Sequence, residues 1–165
     1  MGVSKLIVAS VPLTTTFRPF VKLSDAVKQI LGKVTKNTVR EKDRLVINQW
    51  LMAQMGTVGP MIGQHHQFHH YNPGKSEFGE QRYFKIAKRI YGELDTRLKV
   101  SKFLAGDNYT IADIATWPWL ARHEWHDIGL KNYQNLSRWY QEISEREAVV
   151  KGYAFMDKEA KIPKV

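Results

Sequence analysis

Between Phe103 and Trp119 the chain reads Phe-Leu-Ala-Gly-Asp-Asn-Tyr-Thr-Ile-Ala-Asp-Ile-Ala-Thr-Trp-Pro-Trp, and no other stretch restricts the possible folds so tightly. Gly106, Asp107 and Asn108 are turn formers, and an apolar run at helical spacing begins at Ile111. Thr110 and Asp113 stand three apart between them, the spacing of a capping box. Thr110 as N-cap accepts a hydrogen bond from the backbone N–H of Asp113. The Asp113 carboxylate reaches back to the Thr110 N–H at the positive end of the helix dipole. Tyr109 and Ile114 occupy the two positions of a hydrophobic staple. Such a cap contributes about 1 kcal/mol at an exposed helix end and more at a buried one. The pair is therefore read as an organiser of the fold, with no chemistry of its own, and the helix it starts is expected to run to about Trp125.

The rest of the chain supplies helices for this one to pack against. From Glu41 to about His70, Leu45, Val46, Ile47, Trp50, Leu51, Met55, Val58 and Ile62 recur at three- and four-residue intervals, which predicts one long helix with a buried stripe. Gly56, Gly59, Pro60 and Gly63 interrupt its second half, and a kink is expected at Pro60, which offers no N–H to the Gly56 carbonyl. Tyr83, Ala87, Ile90, Leu94 and Leu98 predict a second long helix, with Arg82, Lys85, Lys88, Arg89, Glu93 and Arg97 mostly off its apolar stripe. Leu136, Trp139, Tyr140 and Ile143 mark a shorter helix over 135–146. A last amphipathic piece covers 148–156, and the Lys-rich tail with Pro163 is expected to fray. The reading is all-α: a helical bundle over residues 41–160.

Residues 1–40 read differently. A β-prone run from Leu6 to Val11 ends at Pro12, and Ser24 opens a short amphipathic helix carrying Ala26, Val27, Ile30, Leu31 and Val34. This is an irregular or partial α/β segment, an arm or the remnant of a domain. Seven of the 25 Lys and Arg residues lie here (Lys5, Arg18, Lys22, Lys28, Lys33, Lys36, Arg40) with only one of the 16 acids, Asp25. The net charge of +9 is thus concentrated ahead of a mildly basic bundle. The bases are spread among Ser, Thr and aliphatic residues without aromatic interleaving, which argues against a nucleic-acid partner. No apolar run has the length of a bilayer span, and there is no cysteine, which together suit a cytoplasmic protein. The acid-poor start also has the composition of an organellar transit peptide.

The histidine-rich stretch Gln64-His65-His66-Gln67-Phe68-His69-His70 invites a metal reading, since His65 and His69, or His66 and His70, are one helical turn apart. No nearby carboxylate pair or thiolate completes a coordination shell. His123, Glu124 and His126 also miss the His-Glu-x-x-His spacing. No metal is expected, and His65, His66, His69 and His70 are placed at the surface or lining a cleft.

The string Phe103 to Asp113 followed by Trp117-Pro118-Trp119 resembles the N-capping box and staple of the glutathione transferase C-terminal domain. Gln49-Trp50-Leu51, Gly59-Pro60-Met61, Gly63-Gln64 and Gln81-Arg82-Tyr83 extend the likeness toward the nu-class branch, which includes glutathione-dependent disulfide-bond oxidoreductases. The resemblance covers about residues 43–155. It implies glutathione as the thiol-bearing ligand, a small electrophile or disulfide as its reaction partner, and a homodimer with no nucleic-acid or membrane partner. It implies further that Arg82 reaches a glutathione carboxylate and that Trp50, Gln54 and the backbone of 56–63 line the open side of the cleft. Ser24-Asp25-Ala26-Val27 resembles the helix start that receives the γ-glutamyl carboxylate in the family's thioredoxin-like domain. No catalytic residue is identified, because the thiol-activating Thr and Asn of that domain have no evident place here. The expectation is a glutathione transferase family chain lacking a complete thioredoxin-like domain and inactive alone, or else a non-catalytic helical interaction module.

Overall fold

In a computed structural model the described residues are 41–155 and 159–165; the readings made for 1–40, Ser24 among them, lie outside these. They form a helical bundle with no strand. The first long helix is composite. Helix α1 (Glu41–Ala53) passes into a π-helical segment (Gln54–Val58), then α2 (Gly59–His65), then a second π segment (His66–Tyr71). A turn leads to α3 (Glu77–Lys99), followed by α4 (Ile111–Leu120), short 3-10 turns at His123–Trp125 and Leu130–Asn132, α5 (Gln134–Ser144) and α6 (Glu147–Tyr153).

Helix α3 is the spine. Its Ala87, Ile90, Leu94 and Leu98 are buried, as the spacing predicts, Tyr83 is only half-buried, and Tyr91 is buried as well. Ile90, Tyr91, Leu94 and Leu98 share one core with Ala112, Trp117 and Leu120 of α4 and Leu136, Trp139, Tyr140 and Ile143 of α5. Each such side chain contributes about 1.5–3 kcal/mol by leaving water. Trp117 donates its indole N–H to the Tyr140 carbonyl at 3.1 Å and stacks on the Tyr140 ring.

The capping box is present. Thr110 Oγ1 accepts from the Ala112 N–H at 3.3 Å, and Asp113 Oδ2 accepts from the Thr110 N–H at 2.9 Å. The turn before it closes between Phe103 and Gly106 through paired backbone hydrogen bonds, with Gly106 at φ +138°, a conformation that glycine adopts without steric penalty.

Four expectations need correction. No simple Pro60 kink breaks the first helix: the Gly59 N–H bonds to the Gln54 carbonyl, five residues back, and Pro60 sits in the first turn of α2, where a missing N–H is tolerated. The wider π turn also changes the buried stripe. Met55 is exposed, while Gln54 joins Val58 and Ile62 inside, because inward positions now follow a four-residue step; Leu45, in the regular helix before it, is exposed too. Helix α4 ends at Leu120 rather than about 125, where the backbone bonds change from the four-residue step of Ala121 to Trp117 to the three-residue step of Arg122 to Trp119 and of Trp125 to Arg122. The tail is docked, not frayed: Ile162 packs on the core and the Tyr140 hydroxyl donates to the Pro163 carbonyl at 2.8 Å.

Candidate functional site

Helix α3 presents two faces. The apolar one is buried, and off it Arg82, Lys85 and Arg89 follow at i, i+3 and i+7, which on a helix rising 1.5 Å per residue spreads them over about 10 Å of one side. The π segment and α2 pack beside them. Together Gly56, Thr57, Met61, Arg82, Lys85, Ile86 and Arg89 line an open groove of about 570 Å³. A shallower depression continues along α3 past Arg89, Gly92, Glu93 and Thr96.

The groove is cationic with an apolar floor. Arg82 and Lys85 have no hydrogen-bond or ion-pair partner among the described residues, and Arg89 makes only an exposed ion pair with Glu93 at 3.4 Å, an arrangement of small energetic worth. Their charge is thus available to an incoming anion. Arg82 has the planar fork that takes a carboxylate bidentately, while Met61 and Ile86 offer apolar surface beside it.

Trp50 and Gln54 are not in this groove. Trp50 is half-buried, with the Arg97 guanidinium 5.6 Å from its ring centre. Arg97 is held in turn by donating to the Leu104 carbonyl at 2.9 Å. Gln54 is only 4% exposed, and its Oε1 has no hydrogen-bond partner among the described residues. Gly59 allows this packing: a Cβ there would lie 2.9 Å from Gln54 Nε2 and 3.2 Å from the Trp119 ring. The backbone of 56–63 is therefore divided, with Gly56, Thr57 and Met61 at the groove and Gly59 under Trp119. The sequence reading did not single out Lys85 and Arg89 with Arg82; their i, i+3, i+7 spacing was the available signal.

The histidines are the larger correction. His65 is fully buried and His66 is 7% exposed, instead of surface or cleft positions, while His69 and His70 are not buried; His126 is fully buried beside them. His66 Nε2 and His126 Nε2 lie 2.6 Å apart, the Tyr91 hydroxyl is 2.5 Å from His126 Nδ1, and His65 Nε2 is 2.9 Å from the His126 carbonyl. Burial, reinforced by neighbouring imidazoles, lowers the pKa of His126 to about 2 and that of His66 to about 4. Burial lowers His65 as well. Both ring nitrogens of His126 are engaged within the protein. Among the described residues no group of three or more His, Asp or Glu side chains is placed to hold a metal ion.

Residues 52–147 match the family described as "Glutathione S-transferase, C-terminal domain". The disulfide-bond oxidoreductase YfcG of Escherichia coli is 39% identical over 107 residues, which cover 65% of this chain and 50% of YfcG. The disulfide-bond oxidoreductase YghU of the same organism is 38% identical over 112 residues, 62% of this chain and 38% of YghU. A solved glutathione transferase of Burkholderia graminis, with two glutathione molecules bound per subunit, superposes with a TM-score of 0.67 at 32% identity over 74% of this chain and 54% of that one. The chain spans half the length, or less, of these two curated relatives.

Proposed function

The chain belongs to the glutathione transferase family, and on that premise we propose that it binds glutathione through the Arg82 groove and serves glutathione conjugation or glutathione-dependent disulfide reduction. The observation that carries this reading is the Arg82 guanidinium, without a partner among the described residues, beside Lys85 and Arg89 over Met61 and Ile86. Glutathione has two carboxylates, and an arginine fork fits one of them. Lys85 and Arg89 extend the positive field along the groove, and Met61 and Ile86 keep water from the middle of the ligand. Glutathione brings the thiol that a chain with no cysteine lacks. Similarity to YfcG and YghU supports a nu-class placement and favours disulfide reduction over conjugation. A cytoplasmic location accords with that chemistry, since a reducing compartment keeps thiols reduced; among the described residues no helix is long and apolar enough to cross a membrane.

A homodimer is part of the proposal. Leu45, Met52 and Met55 of the first helix and Phe78 at the start of α3 are exposed apolar side chains of the kind an isologous interface covers. They also favour the second reading, a non-catalytic dimerisation module.

Calorimetric titration of the chain with reduced and oxidised glutathione separates the two readings. Saturable binding is expected, weakened about tenfold or more in Arg82→Ala, the worth of a charge-assisted hydrogen bond. No heat with either ligand at millimolar concentration sinks the glutathione reading and leaves the module.

A further inference from the structure

The tyrosine and the three histidines at the heart of the bundle take no part in the groove. We propose that Tyr91, His126, His66 and His65 form an acid-sensitive latch, which fastens the second π segment to the His123–Trp125 turn and releases it when the imidazoles take up protons.

We assign the protons so that the buried Tyr91 hydroxyl hydrogen has an acceptor. Tyr91 has a single hydroxyl proton, and the acceptor facing it is His126 Nδ1 at 2.5 Å. His126 therefore has its own proton on Nε2 and donates to His66 Nε2 at 2.6 Å. His65 donates from Nε2 to the His126 carbonyl at 2.9 Å, leaving its Nδ1 without a partner. Every imidazole in this arrangement is neutral, and the chain spans residues 60 or more apart in sequence from π segment to turn.

At the His66–His126–Tyr91 contacts there is no place for another proton. One on His66 Nε2 sets N–H against N–H across a contact of 2.6 Å. One on His126 Nδ1 meets the Tyr91 O–H, which then has to turn away from its acceptor.

The surroundings offer little to balance the charge. From the π segment and the end of α2, His65, His69 and His70 face the pair. Arg122 and His123 face it from the turn, with Glu124 acting on His123. Tyr91 faces it from α3, itself flanked by Tyr133 and Tyr140. Asp127 acts on His65. The groups acting on His66 and His126 are thus other imidazoles and a guanidinium. In the unfolded chain these histidines take up protons near pH 6.5, but the folded state holds His66 neutral down to about 4. The stabilisation is complete above pH 6.5 and is lost progressively as pH falls through that window.

Urea unfolding of the 165-residue chain between pH 7.5 and 5 tests this. The folding constant is expected to be flat above pH 7 and to fall below pH 6 by about a hundredfold or more per pH unit, one factor of ten for each of His66 and His126 with His65 adding to it. In His126→Gln the amide still accepts and donates but takes no proton, so the slope should drop by about one proton. A wild-type constant that stays flat from pH 7 to 5 overturns the latch, as does an unchanged slope in His126→Gln. If that variant does not fold, ring resonances of the wild type decide. His66 and His126 that take up protons only below pH 6, together with the π segment leaving the turn, support the latch, and either one titrating near pH 6.5 with the segment in place overturns it.

Discussion

Asp113 is fully buried, and its carboxylate is surrounded by donors. Oδ2 takes the Thr110 N–H at 2.9 Å and the Thr110 hydroxyl at 3.1 Å. Oδ1 takes the Leu104 N–H and the Trp139 indole N–H, each at 2.9 Å. Asp113→Ala would leave three N–H donors unpaired away from water, each worth about 1–3 kcal/mol. A total loss of about 3–5 kcal/mol is expected, measured as a shift in the urea midpoint at neutral pH with the slope unchanged. Glutathione affinity of the remaining folded fraction should be nearly unaltered, because the residue is remote from the groove lining. Arg82→Ala should do the reverse, weakening the ligand and leaving the midpoint in place. The local half of the Asp113 arrangement was legible because donor and acceptor are three residues apart. The bonds to Leu104 and Trp139 were not, since no spacing rule links positions brought together by packing.

At the scale of elements the first helix departs most from its sequence pattern. A period of 3.6 was assumed throughout, and the π turn at Gln54–Val58 replaces it locally, so Gln54 turns inward where Met55 was expected. Pro60 is exposed at the start of α2, and so Pro60→Ala should change stability by less than about 0.5 kcal/mol; a true proline kink would instead straighten and shift the helix when relieved. Gly59→Ala should destabilise by about 1–3 kcal/mol through its contacts with Gln54 and Trp119, measured by thermal unfolding. Helix α5 shows a similar reach between elements. Its N-terminus has no side-chain cap of its own, and Asp95 of α3 accepts from the Asn135 and Leu136 N–H groups at 2.8 and 2.9 Å. Local capping rules do not find a cap supplied from 40 residues away.

For the molecule as a whole, the exposed charge of the groove sets a dependence on salt. Glutathione binding should weaken several-fold between 50 and 500 mM NaCl, roughly as expected when the Debye length shrinks below the spacing of the charges, and an affinity indifferent to salt would argue that the cations are not its partners. Sedimentation at rising concentration should show a monomer–dimer equilibrium shifted toward monomer by Met52→Lys, whose ammonium would have to be buried in an apolar contact. Sequence alone determined the helical class, the α3 spine and the α4 cap, because periodicity and capping are local and repeat along the chain. Tertiary structure alone decided that His65, His66 and His126 join Tyr91 inside, that Gln54 is buried, and that Arg82 shares a groove with Met61 and Thr57. Those are properties of side chains from separate elements, and packing had to bring the elements together before burial, proton sharing or a common field existed.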